Sequence, residues 1–387
     1  MCVGWTGCAH DCSDSVSEPT EREVTVKRLL TAAVIAVLGL TMAACGSSSS
    51  GGSGGSGSGS GSGGTLNEAG SSLLYPYLQE LVSPLKQAYP SIKLAPAAGG
   101  SGVGISDAIS GTVQMGGSDA YLSQGQFSQT PGIMNVPVVV SAQAVNYNLK
   151  GIQHLKLSGN ILAEIYEGKI TKWNDPAIAA LNPGVKLPAE TIVPVRRVDS
   201  SGDTFLFTSL LSATNAAWKN GPAFGTTVTW PAAAGEVTAN GNPGMVQTCQ
   251  STPGCVAYVG VSAEAQAQQA GLGEAMLQNK SGKFLLPTAK TITAAAAQGS
   301  SNLPSNLAQS LIYEPGADSY PTVNFEYIVV KSQQSSSTTA QAIRNFLDWT
   351  MSPSGGSTQK LLSAEDFVKL PSSVVPMAKA AVAKITG

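Results

Sequence analysis

Charge is what this chain has least of. Only 12% of its 387 residues are Asp, Glu, Lys or Arg, and the formal net charge is -2. A chain so poor in Lys and Arg offers no basic footprint for a nucleic-acid backbone. Histidine is scarcer still, with two in the whole chain, His10 and His154. A Ser-His-Asp hydrolase would have to use His154, in Gln153-His154-Leu155, and Ser101 lacks the nucleophile-elbow spacing. No His, Cys and Asp cluster has the spacing of a catalytic metal site. The apolar run from Leu29 to Leu40 is too short for a comfortable membrane span. No internal repeat is visible. These absences argue against enzymes, and no cofactor or metal is expected.

The N-terminal segment differs from the rest. Residues 1 to 25 are polar and carry Cys2, Cys8 and Cys12, which fit neither a signal peptide nor a metal module. We read the true start near Val26, with a genuine cytoplasmic extension as the alternative. Lys27 and Arg28 then form a charged n-region and Leu29 to Leu40 an apolar h-region. Met42-Ala43-Ala44-Cys45 resembles a lipobox, with Met42 where leucine is usual; a plain secretory signal is the alternative. Residues 1–44 are expected to be removed and Cys45 to be acylated, two or more chains anchoring the protein stably. Gly46 to Gly64 is glycine and serine alone, a flexible tether with an r.m.s. span of about 24 Å. The mature chain is therefore expected on the extracytoplasmic face of the cell membrane, in oxidising surroundings. There Cys249 and Cys255, the only cysteines of the globular part, flank Thr252-Pro253-Gly254, a turn that predicts a disulfide.

Three stretches of the globular part share one pattern. Ala69-Gly70-Ser71-Ser72 precedes Leu74, Tyr77, Leu78, Leu81 and Leu85 at helical spacing. Gly99-Gly100-Ser101-Gly102 follows a strand at Ile92 to Leu94 and opens a helix with Val103, Ile105 and Ile109. Ser200-Ser201-Gly202-Asp203 lies between a strand at Ile192 to Val195 and a helix with Phe205, Leu206, Leu210 and Leu211. Strand, glycine-rich turn and helix in succession predict α/β organisation, with ligand-binding loops at strand ends. Further strands are expected at Val113 to Met115, Val136 to Val140, Ala144 to Leu149, Val256 to Val261 and Val323 to Lys331, the last with Asn324, Glu326 and Tyr327 among apolar residues. Helices are expected at Asn160 to Tyr166, 338–351, 358–363 and 371–385. The alanine- and glutamine-rich stretch up to Asn306 reads as mostly short helices.

A helix start leaves N–H groups unpaired and its dipole favours negative charge, so it either takes an ordinary Ser or Asp cap or binds an anion. Three such starts, with Arg197 and its planar fork nearby, favour a small oxyanion held by hydroxyls and backbone N–H groups. Asp119, after Gly117 and Ser118, is the odd member, because a carboxylate repels an anion. It fits a ligand that carries a proton, which phosphate does near neutral pH and sulfate does not. Asp203 is a second proton acceptor or simply a first-turn aspartate favoured by the helix dipole.

The motifs Ala69 to Pro76, Gly99 to Gly102, Gly116 to Ala120, Leu181 to Gly184 and Arg196 to Phe205, in that order, resemble the phosphate-binding protein of the ABC phosphate importer, PstS. Thr248 to Tyr258 is similar to one branch of that family. The resemblance runs from about Leu66 to the C-terminus. It implies a two-domain, type II Venus-flytrap binding protein, here with domain I at 65–146 plus 325–387 and domain II at 147–324, the strands Ala144 to Leu149 and Val323 to Val330 crossing between them. It implies phosphate contacts from Ser71, Ser72 and Leu73, from Ser101, from Asp119 as acceptor of the ligand proton, from Arg197, and from Ser201, Gly202 and Asp203. The partners implied are inorganic phosphate and a permease with its ATPase. Ser72 and Leu73 stand where many relatives have Thr-Phe, and Asp203 where many have Thr. Sulfate or molybdate binding, and a secreted phosphoesterase, are the alternatives.

Overall fold

The computed structural model of the protein describes residues 64–387. The leader, Cys45 and nearly all of the tether lie outside the described residues. Near-continuous apolar runs build the centre of one ten-stranded sheet. Two antiparallel strands, Ile133–Tyr147 and Thr322–Lys331, lie side by side there, buried on both faces. Beyond Thr322–Lys331 come Met115–Ser118, Gly64–Gly70 and Ile92–Ala98, parallel to one another. Beyond Ile133–Tyr147 come Cys255–Gly260, Val193–Arg197 and Val237–Ala239, again mutually parallel. Short strands Leu311–Ile312 and Gly273–Glu274 attach to the two central strands. Phe284–Leu285, Met276–Gln278 and Lys156–Leu157 make a small second sheet.

Ile133–Tyr147 is one strand where the sequence suggests two. Ser141 and Gln143 read as a break between apolar runs. Both are instead buried and bonded, Ser141 to Asn324 and Glu326, Gln143 to Asp203. The strand changes partner there: residues 133–142 pair with Thr322–Lys331 and 143–147 with Cys255–Gly260. The strand expected at Val113 to Met115 runs from Met115 to Ser118. It includes Gly116 and Gly117, residues of low strand propensity. The reason is packing: a Cβ at Gly116 would lie 2.1 Å from the carbonyl oxygen of Gly104, so the Ser101–Ser110 helix sits directly on the backbone.

The helical stripe Tyr77, Leu78, Leu81 and Leu85 is buried in the Tyr75–Ala88 helix as its spacing demands. Helices Gly159–Tyr166, Gly202–Thr214, Ser337–Thr350, Gln359–Ser363 and Val374–Val382 fall where expected, and a short helix Pro176–Leu181 follows the Asp175 cap. The stretch from Val261 to Asn306, expected as mostly short helices, has helices Glu264–Gln269 and Ala289–Gly299 with short strands between them. Helix Gly241–Ser251 has no counterpart in the sequence reading. Among the described residues no helix is long and apolar enough to cross a membrane.

Cys249 and Cys255 form a disulfide with their Cα atoms 5.3 Å apart. It ties the end of the Gly241–Ser251 helix to the start of the Cys255–Gly260 strand. The turn between them is held as well by Trp173, whose Nε1–H donates to the Gly254 carbonyl at 2.9 Å. Closing so short a loop removes unfolded-state entropy worth about 2 to 3 kcal/mol. Cys249→Ser should lower stability by that amount in urea titrations monitored by circular dichroism. An unchanged midpoint would show that the neighbouring packing alone sets the turn.

Candidate functional site

Every helix start named above follows the C-terminal end of a parallel strand: Ser71 after Gly64–Gly70, Ser101 after Ile92–Ala98, Ser201 after Val193–Arg197. Gly241, after Val237–Ala239, adds a fourth. Asp119 directly follows Met115–Ser118. That edge of an open α/β sheet is where ligands bind, because loops and helix dipoles converge there.

Ser71 holds the turn that leads into the Tyr75–Ala88 helix: its Oγ accepts the N–H groups of Leu73 and Leu74, both at 3.0 Å. The same hydroxyl donates to Asp119 Oδ1. Leu73 is buried, and its carbonyl accepts from Ser262 Oγ at 2.8 Å. Ser101 donates to Asp119 Oδ2 at 3.2 Å and accepts the Asp119 N–H at 3.1 Å. Two serines from two helix starts thus grip one carboxylate. Gly202 closes over them. A Cβ there would lie 2.2 Å from Asp119 Oδ2 and 2.4 Å from Ser101 Oγ, so only glycine allows the third helix start to come this near. Gly102 meets the same loop, its N–H donating to the Ser200 carbonyl at 2.9 Å.

Arg197 occupies the other half of the site. Its Nε donates to Asp199 Oδ1 at 2.7 Å, and its Nη2 to Asp199 Oδ2. Nη1 donates to Asp203 Oδ2 at 2.8 Å, and Nη2 also reaches Ser72 Oγ at 3.2 Å. Asp203 lies in the first turn of its helix, as one reading of the sequence has it, and is fully buried. It accepts further bonds from Asn242 Nδ2 at 2.8 Å and from Gln143 Nε2 at 3.2 Å. Ser201 caps its helix through the Thr204 N–H at 3.3 Å. Ser71, Ser72, Ser101, Asp119, Arg197, Ser201, Gly202 and Asp203 are therefore brought together, with Leu73 beside them.

Electrostatics set the protonation states. Burial opposes the charge on Arg197, but Asp199 and Asp203 more than offset it and keep the guanidinium protonated. Burial pushes Asp119 well above the usual carboxylate range, and the charges of Glu326 and Asp203 push it further. Asp203 is also raised by burial, with Arg197, Gln143 and Asn242 pulling it back. Among the described residues no group of His, Cys, Asp and Glu is arranged to hold a metal ion.

A model of the PBP superfamily domain matches residues 55–354. The phosphate-binding protein PstS of Methanocaldococcus jannaschii is 33% identical over 325 residues, covering 79% of this chain and 82% of that protein. The PstS of Pasteurella multocida is 34% identical over 320 residues, covering 80% and 88%. The chain belongs to the PstS family. Among solved structures, a high-affinity periplasmic phosphate-binding protein, PfluDING, bound with phosphate, matches with a TM-score of 0.67 at 21% identity, covering 82% of this chain and 93% of that one. The phosphate-binding protein of Stenotrophomonas maltophilia matches with a TM-score of 0.62 at 21% identity, over 82% and 93%. These likenesses show the fold of the PstS family, a two-domain α/β periplasmic-binding-protein architecture.

Besides Asp199, four residues around the site have no site role in the sequence reading. Asn242 bonds Asp203 and Ser72 with its amide and accepts the Gly260 N–H at 2.9 Å. Its signal is Asn240-Gly241-Asn242 after a short strand, a further polar turn into a helix. Gln143 and Glu326 are polar residues inside apolar runs. Glu68 is the fourth, in the first strand, 2% exposed. Its Oε1 accepts the Gly117 N–H at 3.0 Å, while burial pushes its carboxyl up to about 8.

Glu68 makes a signed prediction. Its folded-state value lies above the unfolded one, so between about pH 4.5 and 8 the native state holds a proton the unfolded chain has lost. Stability should fall with rising pH across that window. Glu68→Gln keeps the acceptor for Gly117 and removes about 3 to 5 kcal/mol of the fall. Urea titrations at a series of pH values measure it, and equal slopes in the two proteins would refute the assignment.

Proposed function

We propose that the protein binds inorganic phosphate outside the cytoplasm and delivers it to the permease of an ABC importer, without chemical turnover. The observation that carries this reading is Asp119, an acceptor held by two serine hydroxyls where three helix starts converge. Helix N-termini and Arg197 supply positive potential and donors for an oxyanion. A carboxylate among these donors selects an anion bearing a proton. Sulfate and molybdate are thereby disfavoured, as that acceptor would face a bare anion. A phosphoesterase is disfavoured because His154, the histidine it would have to use, is bonded through its ring nitrogen to the Glu274 carbonyl at 3.1 Å and to none of the site residues named above.

In this reading Ser71, Ser72, Leu73, Ser101, Ser201 and Gly202 supply the donors and the close approach. Arg197 neutralises ligand charge, and Asp203 anchors Arg197 and serves as a second acceptor. Domain I comprises 65–146 and 325–387, and domain II 147–324. The partner change along Ile133–Tyr147 supports a crossing at that strand. The anchor is a lipid on Cys45, with residues 1–44 removed. Mass spectrometry of the membrane-extracted protein should find acylated Cys45 as the first residue. A Gly46 to Ser50 peptide preceded by unmodified Cys45 would refute the anchor.

The test of ligand choice is a set of competitive titrations with phosphate and sulfate. Asp119→Asn replaces the acceptor with an amide that can donate. Phosphate affinity should drop roughly ten- to a hundredfold, the equivalent of about 1.5 to 3 kcal/mol, and sulfate affinity should rise. Arg197→Ala should weaken both anions, since a guanidinium reads charge and not protonation. Unchanged phosphate affinity with sulfate still excluded in Asp119→Asn would mean that selectivity resides elsewhere.

A further inference from the structure

Two aromatic side chains that the ligand reading leaves without a task follow the two acids of the site. Tyr121 stands two residues beyond Asp119, and Phe205 two residues beyond Asp203. Their rings meet edge to face, with centroids 5.2 Å apart and planes at 87°, an arrangement that ring quadrupoles favour. Phe224 packs edge to face on Phe205 in turn, at 5.6 Å, and is itself 53% exposed. The backbone holds each ring in place. The Ala120 N–H donates to Ser118 Oγ and the Leu122 N–H to Asn135 Oδ1, both at 3.1 Å, so the chain is pinned on either side of Tyr121. The Phe205 N–H donates to the Ser201 carbonyl at 3.1 Å. The Gly225 N–H donates to Thr208 Oγ1 at 3.3 Å, and the Thr226 carbonyl accepts the Ser201 N–H at 2.8 Å, which ties the Phe224 loop to the same helix.

The site behind these rings is shut. Ser101, Asp119, Arg197 and Asp203 are each no more than 3% exposed, so a ligand reaches or leaves them only when the walls part. A cavity of about 410 Å³, whose lining includes Gly102, Tyr121, Ser200, Phe205 and Phe224, lies beside the ring contact, and Tyr121 thus borders open space. The proposed division puts Tyr121 in domain I and Phe205 with Phe224 in domain II. We propose that Tyr121 and Phe205 form a latch across the seam between the domains, positioning residues that hold the walls closed over bound phosphate and so set its rate of release. This goes beyond the phosphate reading and rests on it and on its domain division. Parting the domains breaks the ring contact and wets both rings. A ligand entering a mouth already open meets no latch, so the effect falls on dissociation and not on association.

A rapid-mixing chase of bound radiolabelled phosphate with excess unlabelled phosphate reads the release rate, and the concentration dependence of binding reads association. Tyr121→Ala should release phosphate about three- to tenfold faster, the loss of one such ring pair, with association unchanged within about twofold. Tyr121→Phe keeps the ring and should release at the wild-type rate. Phe205→Leu keeps apolar bulk in the helix but removes the ring; it should also speed release, and it decides the matter if Tyr121→Ala does not fold. Release unchanged in Tyr121→Ala and Phe205→Leu, or raised as much in Tyr121→Phe as in Tyr121→Ala, would overturn the latch while leaving phosphate binding intact. A loss of stability in phosphate-free Tyr121→Ala as large as its loss of affinity, read in urea titrations, would overturn it too, since the ring would then serve the fold alone. Absence of phosphate binding by the wild type would instead overturn the function, and the latch with it.

Discussion

The guanidinium of Arg197 holds the site in one geometry. It is the hub between Asp199, Asp203 and Ser72, so residues from three segments are fixed by one planar group. A buried cation is costly to desolvate, and its charge-assisted bonds recover that cost only with all partners in place. Asp203 is braced by Asn242 and Gln143, and Ser72 by Asn242. The backbone joins in, since the Arg197 N–H donates to Tyr258 Oη at 2.9 Å, which bonds Thr204 Oγ1 at 2.9 Å.

Opposite this hub stands an excess of acid. Asp119, Glu326 and Glu68 are buried without a salt-bridge partner among the described residues. Hydroxyls, a backbone N–H and the Asn324 amide bond them in place of cations, and Oε2 of both Glu68 and Glu326 takes no such donor. Neutral donors stabilise a carboxylate without cancelling its charge, so such groups stay responsive to protons. In the phosphate reading proposed above, charge reading belongs to Arg197 and proton reading to Asp119.

What was legible in the sequence was local. Ser71, Ser101 and Ser201 stand at helix starts because a hydroxyl and a glycine beside an apolar helical stripe have few other uses. Arg197 and Asp119 stood out as isolated charges at strand ends. Cys249 and Cys255 flank a turn that brings them together. What was not legible depends on distant partners. Ser141 and Gln143 look like a break until Glu326 and Asp203 are in view. Gly116 and Gly117 lie past the end of the strand expected at Val113 to Met115 until the Ser101–Ser110 helix is laid on them. Asn242 is one more polar residue until Ser72, far along the chain, is set beside it.

Those separations bear on how the chain is made. The bond between Ser71 and Asp119 spans 48 residues, that between Ser72 and Asn242 spans 170, and that between Ser141 and Glu326 spans 185. Contacts so distant form late, after loop-closure entropy has been overcome. A ribosome must synthesise the chain past residue 326 before the central strand, and with it the last wall of the site, can exist. The nascent chain thus has no finished site to occupy, and it acquires one only when almost all of it is free to fold.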